Sequence, residues 1–290
     1  MTYRDGYLEQ YKIAGTLNLD PHPAFTSKSS YKNFQAELIK FQNLLKKLVK
    51  NGENKTFYKF GDGDYYFLKK EAIGSAAPGR RALLTKNYSQ INHKEFTTGV
   101  LKNDYITVEI YNRNLFLDLF PKRKIDFSAE YGYGLTANKW LLRTFAGSIG
   151  LIGAREKMEL IQVLMQSPAY RNYLGLDKFE DYISIPQKGA CDDLAITEKI
   201  AAEQLKNAKA KIFLLGIGHV KSGLLHRLKN YHNAVYLDVG SAVDALAGVV
   251  NVTRPYMGDW TNFVIRNYDY STIDFLGYSG KGKYAVLSSI

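Results

Sequence analysis

The sequence predicts an α/β fold: a Rossmann-like, largely parallel sheet with flanking helices, continued by an irregular C-terminal extension. Three observations predict it. Short apolar, β-branched runs alternate with helical-period segments through the second half of the chain. The junctions between them are short and carry glycine, as in Leu214-Leu215-Gly216-Ile217-Gly218 and Leu237-Asp238-Val239-Gly240. At 290 residues the chain is long enough to bury a sizeable core.

Residues 1–34 read as an irregular lead-in, with Asp20-Pro21-His22-Pro23 and Ser27-Lys28-Ser29-Ser30 breaking any periodicity. Phe34, Leu38, Phe41, Leu45 and Leu48 then recur at helical spacing, and Gly52 stops the helix. Thr56 to Phe60 is a strand by its β-branched and aromatic content, ending at the turn Gly61-Asp62-Gly63-Asp64. A short helix follows from Asp64 to Glu71, and Gly74 to Gly79 breaks it. Tyr105 to Ile110 alternates as a strand does, and Trp140 to Phe145 reads as a helix end. Residues 111–139 show no assignable period.

Beyond them the pattern sharpens. Strands are expected at Ser148–Ile152, Tyr182–Ile185, Lys211–Leu215 and Ala234–Val239. Helices are expected at Arg155–Gln166, Leu194–Asn207, after Gly218-His219, and at Ala242–Val250. Asp192 or Asp193 is expected to cap the second of these. Residues 35–250 therefore make one domain, and the Tyr- and Gly-rich residues 251–290 an extension packing on it.

The formal net charge is +11, with 22 tyrosines. A basic excess favours anionic partners such as nucleotide phosphates or lipid headgroups. The charges are scattered, and Lys40, Lys46, Lys47 and Lys50 fit the solvated side of one helix. No zinc-finger spacing, RNP-type motif or basic tail accompanies them, which argues against nucleic acid as a partner. No apolar run reaches the ~18 residues of a membrane span. The start of the chain lacks a secretory core, and the single cysteine, Cys191, suits a reducing compartment, so a cytoplasmic location is expected.

The chemistry concentrates at Gly61-Asp62-Gly63-Asp64. Two carboxylates one residue apart at a strand exit suit a hard divalent cation, Mg²⁺ or Mn²⁺, that bridges to substrate phosphates. The plain alternative is a solvated Asp-Gly turn. Gly216-Ile217-Gly218-His219-Val220-Lys221 lies where a strand meets a helix, so backbone N–H groups and Lys221 favour an anion there. Its plain alternative is a tight turn. Parallel sheets bind ligands beyond the carboxyl ends of their strands. Both turns should therefore face one crevice, lined by Asp64 and Gly218.

In these segments the chain resembles the GT-D-type glycosyltransferases, a bacterial family first catalogued as a domain of unknown function. Lys59-Phe60-Gly61-Asp62-Gly63-Asp64 stands where that family has Arg-Phe-Gly-Asp-Gly-Glu. Pro186-Gln187-Lys188-Gly189-Ala190, Leu214-Leu215-Gly216-Ile217-Gly218 and Leu237-Asp238-Val239-Gly240 follow in the family's order. The acidic pair is Asp-x-Asp instead of Asp-x-Glu, Lys59 replaces the arginine, and Ser241 stands where the family often has His. Gly216-Ile217-Gly218-His219 replaces a Gly-Pro-Thr turn.

The resemblance implies a metal-dependent transferase, residues 35–250 being its catalytic domain. It would move a sugar from a nucleoside diphosphate sugar to a glycan, glycoprotein or lipid-linked acceptor, with peripheral membrane contact and a homo-oligomer both compatible. Asp64, with Asp62 alongside, would hold the Mn²⁺ or Mg²⁺; Asp62 could instead contact the donor ribose or sugar. Phe60, Gly61, Gly63, Gly216, Gly218, Lys221 and Asp238 would line the donor. A general base would come from Asp192, Asp193, Asp238, Glu109 or His219, and Arg80 and Arg81 could clamp a diphosphate. Two other readings stand beside this one. The first is a non-catalytic nucleotide- or glycan-binding protein on the same fold. The second is another nucleotide-dependent transferase, such as a methyltransferase.

Overall fold

The computed structural model describes residues 34–71, 90–249, 263–265, 268–273 and 286–287. The lead-in up to residue 33, the Gly74–Gly79 break, Arg80, Arg81 and most of residues 250–290 lie outside the described residues.

Seven parallel strands form the central sheet, in the order β3-β2-β1-β7-β6-β4-β5. They are β1 Lys55–Phe60, β2 Tyr105–Val108, β3 Phe127–Ser128, β4 Ile149–Ala154, β5 Tyr182–Ile185, β6 Ile212–Gly216 and β7 Val235–Asp238. Strands β4, β6 and β7 are buried along their whole length, as expected for parallel strands covered on both faces. The pairing register brings Phe60 opposite Val108 and Leu215 opposite Asp238, so the exits of β2, β1, β7 and β6 stand in a row.

Helices cover both faces. Helix α1, Phe34–Lys50, turns Leu38, Phe41, Leu45 and Leu48 inward and closes at Gly52, whose φ is +64°. The same apolar layer holds α5 Glu130–Ala137, α6 Trp140–Thr144, α7 Arg155–Leu164, α8 Pro168–Leu174 and α11 Ala242–Leu246. The opposite layer holds α2 Asp62–Leu68, α3 His93–Leu101, α4 Arg113–Leu119, α9 Leu194–Leu205 and α10 Lys221–Leu228. Successive residues of one strand serve both layers. Phe57 enters the first and Tyr58 the second, and both side chains are fully buried. Burial of each such aromatic is worth roughly 1.5–3 kcal/mol.

The unassigned residues 111–139 contain α4, β3 and α5. All eight residues of α5 are buried, so it has no polar face to reveal a helical period. The expected strand Tyr105–Ile110 ends at Val108, and Ile110–Asn112 forms a 3-10 turn instead. Helix α11 is shorter than Ala242–Val250 and is followed by Gly248 at φ +83°. In the C-terminal part, β8 Val264–Ile265 pairs in parallel with β9 Val286–Leu287. Phe263 packs on Tyr170 and Tyr173, and Gln187 Nε2 donates to the carbonyl of Thr272 at 2.8 Å.

Candidate functional site

Four neighbouring strands deliver polar side chains to the carboxyl edge of the sheet. From β1 the chain passes Gly61 into α2, and Asp64 in the first turn accepts the Gly61 N–H at 2.9 Å through Oδ2. This reach-back holds the turn closed and buries Asp64. Asp62 stays exposed, its Oδ1 accepting the Gly63 N–H at 2.8 Å. Phe60 points the other way, into the core against Phe116 and Phe120.

The exit of β6 needs glycine twice. A Cβ on Gly216 would lie 2.6 Å from the Val243 Cβ and 2.7 Å from the Gly240 carbonyl oxygen. Gly218 has φ +60°, where L side chains are strained. The chain then makes a 3-10 turn, Gly218–Val220, which leads into α10. The His219 ring stacks on Phe67, centroids 4.6 Å apart and planes 6° from parallel, and its Nδ1 is 3.6 Å from Asp64 Oδ1.

Lys221 reaches from the start of α10 into the middle of this edge. Its Nζ lies 3.1 Å from Asp64 Oδ2 and 2.8 Å from Asp238 Oδ2, and it donates to the Lys59 carbonyl. The ammonium also sits over the Tyr58 ring, 4.8 Å from its centroid. Asp238, at the end of β7, also accepts the Lys59 N–H at 3.2 Å and, through Oδ1, the Gly240 N–H at 3.0 Å.

A second knot adjoins the first. Lys59 Nζ lies 3.2 Å from Glu109 Oε1, which also accepts the Tyr133 hydroxyl at 2.9 Å. Glu109 Oε2 accepts from Asn112 Nδ2 at 2.6 Å. Glu130 of α5 accepts the Ile110 N–H at 2.8 Å. Tyr133, Asn112 and Glu130 lie in the stretch whose sequence gave no period, and no local pattern announces them.

The charges are strongly perturbed. Burial would raise the Asp64 carboxyl, but the Lys221 ammonium, then His219 and Lys59, hold it well below the usual carboxylate range. Burial works against the Lys59 ammonium, yet Tyr133, Glu109, Asp64 and Asp238 together push its pKa well above the usual value. Although Asp62 is exposed as a residue, loss of water around its carboxyl and then the Glu109 charge push that carboxyl up. Burial, reinforced by Glu109, pushes Glu130 up to about 8.

Of the residues singled out in the sequence, Asp64, His219, Lys221 and Asp238 come together in one cluster. Gly61, Gly63, Gly216 and Gly218 shape its turns, and Asp62 stands exposed on the α2 turn. Among the other base candidates, Asp193 caps α9 by accepting the Ile196 N–H at 2.9 Å, and Asp192 is exposed nearby in sequence. Glu109 is buried and fully hydrogen-bonded by Lys59, Tyr133 and Asn112. Burial pushes the Cys191 thiol up, away from nucleophilic chemistry.

The divalent ion implied by the GT-D resemblance does not fit Asp64 as the side chains are arranged. Asp64 Oδ2 already accepts from Gly61 and Lys221, and Oδ1 faces His219. Two unit charges 4 Å apart at an effective dielectric near 20 interact by about 4 kcal/mol, and a divalent ion beside the Lys221 ammonium would meet about twice that repulsion. Among the described residues no group of three or more His, Cys, Asp or Glu is placed to hold a metal.

No family model matches the chain, and no curated protein matches it. Among solved structures it is similar to one described as "A New Glycosyltransferase (DUF1792) from Streptococcus sanguinis". The two are 12% identical, with a TM-score of 0.42, over 69% of this chain and 80% of that one. So loose a likeness leaves the functional case to the site itself. Among the described residues no helix is long and apolar enough to cross a membrane.

Proposed function

We propose that the protein is a glycosyltransferase that takes a nucleoside diphosphate sugar at the carboxyl edge of its sheet. The observation that carries this reading is the meeting of three motif segments far apart in sequence. Asp64 contacts His219 and Lys221, and Lys221 in turn contacts Asp238 and Lys59. They lie in or directly after three of the four segments that resemble the GT-D family, and they share the edge where parallel sheets bind ligands.

In the proposed reaction an acceptor hydroxyl forms a bond to the anomeric carbon, and the bond from that carbon to the diphosphate oxygen breaks. The nucleoside diphosphate leaves with the electron pair, and the hydroxyl proton passes to a base. The roles follow from exposure. Asp62 is the exposed carboxylate of the turn, suited to a ribose or sugar hydroxyl. The slightly exposed Lys59 ammonium supplies positive charge toward the diphosphate. Asp64, Lys221 and Asp238 hold the turns. The acceptor class follows the resemblance: a glycan, a glycoprotein or a lipid-linked sugar.

A nucleotide- or glycan-binding protein without turnover is the second reading. The internal pairing of Asp64 with Lys221 favours it, because that pairing gives the acidic turn a purely structural use. A screen of nucleoside diphosphate sugars against the full chain, reading released nucleoside diphosphate, tests both. Release with at least one donor is expected. Thermal stabilisation by nucleoside diphosphates without release from any donor would favour the binding protein.

A further inference from the structure

We infer that the cation of this site is the protein's own: the Lys221 ammonium occupies the place beside Asp64 that the GT-D resemblance gives to a divalent ion. Asp64 is then a positioning residue and not a metal ligand. The inference deepens the proposed donor site and rests on it for its catalytic consequence.

The coordination around Lys221 is complete. Its three N–H bonds have three oxygen acceptors, on Asp64, Asp238 and the Lys59 backbone. Two of these acceptors come from the exit of β1 and one from that of β7, so the ammonium ties both exits to the start of α10. The side chain is 6% exposed and the Asp64 side chain 5%, so neither can turn outward without opening the edge. Next to Lys221, α10 packs closely on α3: a Cβ on Gly99 would lie 2.1 Å from the Ser222 carbonyl oxygen. The Gly61 and Gly63 N–H groups of the turn donate to Asp64 and Asp62, and an N–H donor offers a cation no ligand. Asp62 is then the carboxylate of the turn left open to an ion.

The test is an EPR titration of the full-length wild-type protein with Mn²⁺ alone, alongside Asp62→Asn and Lys221→Met. The wild type should leave the free Mn²⁺ signal undiminished. Lys221→Met should gain a Mn²⁺ site, because two buried carboxylates lose their cation. A saturable site in the wild type that Asp62→Asn abolishes would overturn the inference. That comparison stands even where Lys221→Met fails to fold, since Asp62 is exposed. In the donor screen, release should persist in excess chelator. Release only with added Mn²⁺ would overturn the inference, whereas no release under either condition would count against the glycosyltransferase reading alone.

Discussion

Lys221 Nζ and Asp64 Oδ2 lie 3.1 Å apart, on turns that leave two strands that are not neighbours in the sheet. Strand β7 runs between them and supplies Asp238 to the same ammonium at 2.8 Å. One lysine thus joins the exits of β1, β7 and β6. Removing it takes from two buried carboxylates the ammonium that both of them contact. Lys221→Met is expected to lower stability by about 3–5 kcal/mol in urea unfolding. A loss under about 1 kcal/mol would show that the cluster relaxes or hydrates freely.

Asp62 contrasts with its partner two residues on. It is exposed, and among the described residues its carboxylate accepts the adjacent Gly63 N–H. Asp62→Asn should leave the unfolding midpoint nearly unchanged, within roughly 0.5 kcal/mol. It should lower kcat/KM for the donor about ten- to a hundredfold, the scale of a lost charge-assisted hydrogen bond. Unchanged kinetics would remove Asp62 from the donor site.

Glu130 sets a pH dependence. Its carboxyl is raised by burial to about 8 in the folded protein, against an ordinary 4.5. The folded state then binds the proton more tightly than the unfolded chain. Its stabilising contribution is complete below about pH 4.5 and is lost as pH rises through about 8. Denaturant melts across this window should show stability falling with pH. Glu130→Gln, which mimics the protonated acid, should flatten that fall; an unchanged slope would assign it to other groups.

Asp64 gives the opposite sign. Its depressed carboxyl stabilises the fold above its unfolded value of about 3.8, and that contribution is lost as pH falls through the folded value. Acid unfolding should therefore have a component below about pH 4, measurable by circular dichroism, that Asp64→Asn eliminates.

The turn after β6 makes a steric prediction. Gly216→Ala places a methyl 2.7 Å from the Gly240 carbonyl oxygen at the β7 exit and against Val243 of α11. Overpacking of this kind costs about 1–3 kcal/mol. Because the strain displaces one strand exit from another, donor binding should weaken along with the melting temperature. A stable variant with normal donor binding would show that this edge is more plastic than its packing.

Much of this was legible in the residues themselves. Leu38, Phe41, Leu45 and Leu48 recur at helical spacing because one face of α1 is buried and the other solvated. The strand exits at Gly61 and Gly216 were equally plain, since turn chemistry is local. Helix α5 was not, because burial on every side erases the alternation that reveals a helix. The same opacity hid Tyr133 and Glu130 of α5, whose partners Glu109 and Ile110 lie 24 and 20 residues away along the chain.

By itself the sequence determined the parallel α/β class, the order of most elements and the polar residues at each strand exit. These depend on hydrophobic period and glycine placement, which act over a few residues. Only the tertiary structure decided the strand order that sets β7 between β1 and β6, and with it the charge that Asp64 faces. A carboxylate at a turn looks the same in sequence whether its counter-charge is an ion or a lysine. The difference lies in Coulomb energy and burial, which depend on distance in space and not on distance along the chain.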